Sequence, residues 1–175
     1  AAAGNHALRA MGLPTHPVEA YRTMVGSGLP KLMERMLPPH CRKEGSIQLA
    51  LSIFTRYYQQ HMQDLTAPYP GTVAMLERLK RAGLKMAVLS NKADAMVQPI
   101  VEQYFPTTFD YVLGLQEGMA PKPDPSGVFI ILEQLGLAPE AILYFGDSDV
   151  DMHTAKNAGL AACGALRGFR TRTGL

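Results

Sequence analysis

Cysteine is scarce: Cys41 and Cys163 are the only two in 175 residues. They lie far apart in sequence, and free thiols in a reducing compartment are the expectation. No C-x-x-C pair and no Cys/His spacing suits a zinc site. Charge of one sign is also lacking, because 17 Lys and Arg against 15 Asp and Glu leave a net +2. The basic residues Lys31, Arg35, Arg42, Lys43, Arg78, Lys80 and Arg81 form no block, and only residues 167–172 are locally basic. Nucleic acid and anionic membranes are therefore not expected partners. No apolar run approaches a membrane span. The start, A-A-A-G-N-H-A-L-R-A, lacks the basic-then-apolar order of a signal peptide. Internal repeats and low-complexity tracts are missing too. These absences predict a cytoplasmic protein.

What is present is apolar residue, 47% of the chain, enough for one sizeable core. Residues 1–66 read as helical throughout. Ala7, Leu8, Met11 and Leu13 form one stripe; Leu32, Met33, Met36 and Leu37 form another. A longer helix is expected over 47–65, with Leu51, Phe54, Tyr58 and Met62 on one face. Glycines and prolines punctuate these segments. After the turn-rich T-A-P-Y-P-G-T (66–72) the texture changes. Helices over 73–82, 93–104, 126–135 and 149–158 alternate with strands over 84–89, 111–113, 142–145 and 160–162. Such alternation predicts an α/β fold, a doubly wound and mostly parallel sheet. The runs K-M-A-V-L and A-I-L-Y-F are continuously apolar, as expected of strands covered on both faces.

In open parallel sheets, ligands sit beyond the carboxyl ends of the strands. Here those ends carry Ser90, Asn91 and Lys92, then Lys122 within P-K-P-D-P, then Asp147, Ser148, Asp149 and Asp151 within G-D-S-D-V-D. Carboxylate oxygens suit Mg²⁺. A Ser hydroxyl and backbone N–H groups at a helix start suit phosphate oxygens. A Lys ammonium neutralises charge on a transferring phosphoryl group. Together they suggest Mg²⁺-dependent phosphoryl transfer. Each residue also has a plainer reading. Ser148 and Asp151 fit a helix capping box, Asn91 with Asp94 fits a helix start, and Asp124-Pro125 fits an N-cap with the first helical position. Asp147 stands apart, because a carboxylate at the mouth of a buried strand is costly without a partner or metal. G-S-G-L-P-K at 26–31 lacks the spacing of a P-loop or dinucleotide fingerprint, and the five histidines show no catalytic or metal pairing.

The order Ser90 in V-L-S-N-K, Lys122 in P-K-P-D-P, then G-D-S-D-V-D followed by A-K-N-A-G resembles the haloacid dehalogenase superfamily, and within it the phosphoglycolate phosphatase-like group. The helical region with V-G-S-G-L-P at 25–30 resembles the family's inserted cap, and P-Y-P-G at 68–71 the return to its core. The resemblance implies a Rossmann-like core over 67–175 and a helical cap over 1–66. It implies that Ser90 bonds the phosphoryl group with the Asn91 backbone, that Lys122 steadies the nucleophile and the phosphoryl charge, that Asp147 binds Mg²⁺ directly, and that Asp151 supports the metal. Arg22, Ser27 and Lys31 of the cap are candidates for meeting a small anionic substrate. The implied partner is a small phosphorylated metabolite, 2-phosphoglycolate first, and the implied assembly is a monomer or homodimer.

One part of the pattern is missing. The family's nucleophile is an Asp in D-x-D-G-T at the end of the first core strand, and that motif is absent from these residues. The resemblance places that strand between the one ending at Ser90 and the one ending at Asp147. Both would then show unpaired edges. The expectation is an incomplete sequence of a longer protein, cut at both ends. By itself it would be inactive, and its parent would be a phosphatase working through an aspartyl-phosphate. The alternatives are a non-catalytic phosphate-binding remnant and a phosphomutase of the same superfamily.

Overall fold

The computed structural model describes residues 1–25 and 28–166. The chain divides into two compact units, Ala1–Ala67 and Pro68–Leu175.

The first unit is helical, with α1 (Ala2–Ala10), α2 (Tyr21–Met24), α3 (Leu29–Met36) and α4 (Glu44–His61). The apolar stripes expected from spacing become its core: Ala7 and Leu8 of α1, Leu32, Met33 and Met36 of α3, and Ala50 and Phe54 of α4 are buried together. Helix α4 begins earlier than the periodicity predicts. Lys43 is extended there and Glu44 occupies the first turn, where an acid favours the helix N-terminus. The Asn5 amide pins the loop after α1 by bonding both the N–H and the C=O of His16. The V-G-S-G-L-P segment includes Gly26 and Ser27, which lie outside the described residues.

The second unit runs α5 (Thr72–Arg81), β1 (Ala87–Ala93), α6 (Asp94–Tyr104), β2 (Tyr111–Leu115), α7 (Ser126–Leu135), β3 (Leu143–Gly146), α8 (Asp149–Asn157) and β4 (Ala161–Gly164). Among the described residues the strands form two parallel pairs, β1 with β2 and β3 with β4. Helices α6 and α7 pack on the first pair and α8 on the second. Leu89 of β1 joins both apolar clusters of the unit, beside Tyr144 in one and Leu113 in the other. One continuous core thus underlies two strand pairs that share no ladder. A single sheet was expected. Among the described residues, β1 pairs with β2 alone and β3 with β4 alone, so each keeps one unpaired edge, as expected where the family's central strand is missing.

Two strands depart from expectation for physical reasons. β3 is not covered on both faces: Ile142 and Tyr144 pack against Ala155 and Ala158 of the α8 segment, whereas Leu143 and Phe145 are 53% and 64% exposed. A layer of helix on one side only gives an alternating strand. β1 is longer than expected at its carboxyl end. Leu89 pairs with Leu113 and Ala93 with Leu115, so β1 uses two more residues than β2 over that interval. The resulting bulge carries Ser90, Asn91 and Lys92 within the strand, not after it.

Candidate active site

Lys122 is the centre of the arrangement at the carboxyl ends of β1 and β3. Its ammonium donates to Asp151 Oδ1 at 2.6 Å, to the Leu89 carbonyl at 3.3 Å and to Tyr144 Oη at 3.5 Å. Those three acceptors match the three protons of an ammonium. The ion pair is nearly dry, with side-chain exposures of 13% for Lys122 and 10% for Asp151. A short, charge-assisted bond in such a setting is strong, and either charge alone would be costly.

Asp151 is held from every side. Ser148 and Asp151 form the capping box that opens α8, as the sequence pattern allows. Asp151 Oδ2 accepts from Ser148 Oγ at 2.5 Å and from the N–H groups of Ser148 and Asp147 at 3.2 Å each. Gly146 makes room for this, since a Cβ there would lie 2.1 Å from Asp151 Cβ. Burial pushes the Asp151 carboxyl up. The bonds from Lys122 and Ser148, the Lys122 charge and the Asp147 N–H outweigh it and hold the carboxyl below the ordinary value. Tyr144 lies beneath the pair, its hydroxyl 3.5 Å from Asp151 Oδ1. Burial first, then the Asp151 charge and its bond, push the phenol well above its ordinary value, so it stays protonated. Tyr144 was not expected as a site residue. The only hint is its place as the polar-tipped aromatic in an otherwise apolar strand.

Ser90 and Asn91 flank Lys122 on the bulge of β1. Ser90 Oγ accepts from the Lys92 N–H at 3.1 Å. Asn91 does not start a helix; α6 begins at Asp94. Asp94 Oδ1 instead receives the Gly114 N–H at 2.7 Å, tying α6 to β2. Asp124 Oδ1 accepts from the Ser126 N–H at 2.9 Å, and Pro125, not Asp124, holds the N-cap position of α7.

Asn91, Lys122 and Asp151 therefore meet, Ser90 precedes Asn91 on the bulge, and the Asp147 N–H bonds Asp151. Asp147 itself is exposed, so the argument that its burial demands a partner does not hold; the buried carboxylate is Asp151. For a divalent cation, Asp147 offers a hard oxygen in water, while both Asp151 oxygens are already engaged. No group of three or more His, Cys, Asp or Glu arranged for a metal occurs among the described residues. The donor set fits Mg²⁺ as a single-carboxylate anchor, since that ion keeps several waters and takes phosphate oxygens as ligands. Arg22 lies exposed on α2 of the helical unit, and Lys31 is paired with Glu34 there. Ser27 lies outside the described residues.

The parallel α/β unit thus carries a Lys–Asp pair and a Ser-bearing bulge at its strand ends. The haloacid dehalogenase-like hydrolases match residues 1–165. The chain is 31% identical over 167 residues to a phosphoglycolate phosphatase of Pseudomonas savastanoi pv. phaseolicola, covering 93% of this chain and 61% of that protein. It is 31% identical over 172 residues to the phosphoglycolate phosphatase of Haemophilus influenzae, covering 94% and 77%. Among solved structures, a predicted phosphoglycolate phosphatase from Haemophilus somnus superposes with a TM-score of 0.87 at 30% identity, over 96% of this chain and 78% of that one. A predicted phosphatase from Clostridium acetobutylicum, 19% identical, shares the fold with a TM-score of 0.83 over 99% and 80%. This chain belongs to the haloacid dehalogenase-like hydrolase family. It spans 61% of the length of the Pseudomonas relative.

Proposed function

We propose that these residues belong to a cytoplasmic phosphatase that hydrolyses a small phosphate monoester, 2-phosphoglycolate first among candidates. The observation that carries the reading is the Lys122–Asp151 pair at the ends of β1 and β3, in a chain of this family. Ser90 is free to turn its hydroxyl to a phosphate oxygen at the cost of one bond to the Lys92 N–H. Lys122 has two long bonds, to Leu89 and Tyr144, that it can exchange for phosphoryl oxygens while the 2.6 Å bond to Asp151 keeps it in place. Asp151 acts as the anchor of that lysine. Asp147 is the carboxylate that would hold Mg²⁺, which when bound neutralises phosphate charge. The nucleophile is a carboxylate on a strand pairing with the open edges of β1 and β3, placing it beside Lys122. Its oxygen bonds phosphorus as the P–O bond to the leaving alcohol breaks, that alcohol oxygen takes a proton from solvent, and water then cleaves the acyl phosphate to the carboxylate and inorganic phosphate.

The relatives named as phosphoglycolate phosphatases support this substrate class. The two free thiols support a reducing compartment. The test is release of inorganic phosphate by the whole protein from a panel of monoesters. Lys122→Ala should lower kcat by roughly 10²-fold or more, as removal of one charge-stabilising donor does. An unaltered rate would reject the role given to Lys122.

A further inference from the structure

The loop P-K-P-D-P that carries Lys122 has an unusual shortage of donors. Pro121, Pro123 and Pro125 have no N–H. The Asp124 N–H bonds back to the Pro121 carbonyl. One backbone donor of residues 121–125 is left to fasten the loop to the rest of the unit, and it is the N–H of Lys122.

That group is taken by a side chain 31 residues away. Asn91 Oδ1 accepts the Lys122 N–H at 2.7 Å, and Asn91 Nδ2 donates to the Lys122 carbonyl at 3.0 Å. A primary amide is the short side chain that offers one donor and one acceptor side by side. Asp would lack the donor, Ser would offer one atom, and Gln would stand one methylene further out. Asn91 sits on the bulge of β1, whose Leu89 carbonyl receives the Lys122 ammonium. The same stretch of strand thus grips Lys122 at its backbone and at its charged end.

We propose that Asn91 is a positioning residue whose side-chain amide clamps the backbone of Lys122 and so fixes where its ammonium stands. This extends the proposed phosphatase reading and rests on it for its kinetic consequence. Displacing a catalytic cation by about 1 Å costs roughly 10²-fold in rate. The residue therefore acts through Lys122, apart from any phosphate contact of its own backbone.

The test compares Asn91→Ala with the parent in the whole protein, by two readouts. Lys122 acetylation by an amine-reactive reagent, followed by peptide mass, should speed up several-fold, with Lys31, Lys43 and Lys156 unchanged as internal controls. In turnover of a phosphate monoester, kcat should fall with little change in KM, and the same replacement made on top of Lys122→Ala should lower kcat no further. An equal loss in both backgrounds, or Lys122 acetylation at the parent rate, overturns the proposal. If the parent shows no turnover, the phosphatase reading fails, and the acetylation rate alone decides the clamp. If Asn91→Ala does not fold, Asn91→Asp keeps the acceptor and removes the donor; acetylation of Lys122 at the parent rate in that variant overturns the clamp too.

Discussion

Replacing Lys122 by Met keeps most of the side-chain volume and removes the charge together with the ammonium's donors to Asp151, Leu89 and Tyr144. It leaves Asp151 buried without its counter-ion, and loss of one partner from a buried pair costs about 3–5 kcal/mol. Asp151 retains the Ser148 hydroxyl and the N–H groups of Ser148 and Asp147. The penalty should therefore fall at the lower end, about 3 kcal/mol. Equilibrium urea unfolding followed by circular dichroism is the assay, since the chain has no tryptophan. The pH dependence adds a second check. The folded-state carboxyl of Asp151 is held below its ordinary value. Its stabilising contribution is complete above about pH 3.9, the ordinary Asp value, and is lost as the pH falls through the folded value. The gap between Lys122→Met and the parent should accordingly close below about pH 4. Replacing Asp151 by Asn as well should restore part of the loss, because neither charge is then left alone. A penalty below about 1 kcal/mol at neutral pH, the range of an exposed pair, would refute the reasoning. So would a gap that widens in acid.

Three further outcomes are expected. Gly146→Ala should destabilise the second unit by about 1–3 kcal/mol in urea unfolding, because its methyl would collide with Asp151. Phe145→Ser, at a position 64% exposed, should change stability by no more than about 0.5 kcal/mol in the same assay on these 175 residues. The 175 residues alone should release no phosphate from a monoester in a colorimetric assay, since D-x-D-G-T is absent from them.

Local signals carried much of the fold. The apolar stripes of residues 7–8 and 32–36 are the buried face of α1 and α3, and the expected helix over 126–135 is α7 (Ser126–Leu135). The capping box at Ser148 was legible because its two members are three residues apart. Long-range consequences were not. Nothing near Leu89 announces that β1 will bulge, because the bulge exists only in register with β2. The apolar run 142–145 reads as a strand buried on both sides, yet among the described residues Ile142 and Tyr144 pack into the core while Leu143 and Phe145 stay exposed. At the site, residue types at strand ends drew attention to Lys122 and Asp151, which the fold pairs. Charge alone misplaced the buried carboxylate at Asp147, since the turn after Gly146 sends Asp151 inward. The amide of Asn91 meets Lys122 across 31 residues, a contact that no local pattern encodes.

The most direct test is phosphate release from 2-phosphoglycolate and a panel of other monoesters by the whole protein, with Mg²⁺ and with a chelator, for the parent and Lys122→Ala. The account predicts release by the parent with Mg²⁺, its loss on chelation, and a fall of roughly 10²-fold or more without the lysine. No release from any ester by the parent, or full activity in Lys122→Ala, would contradict it.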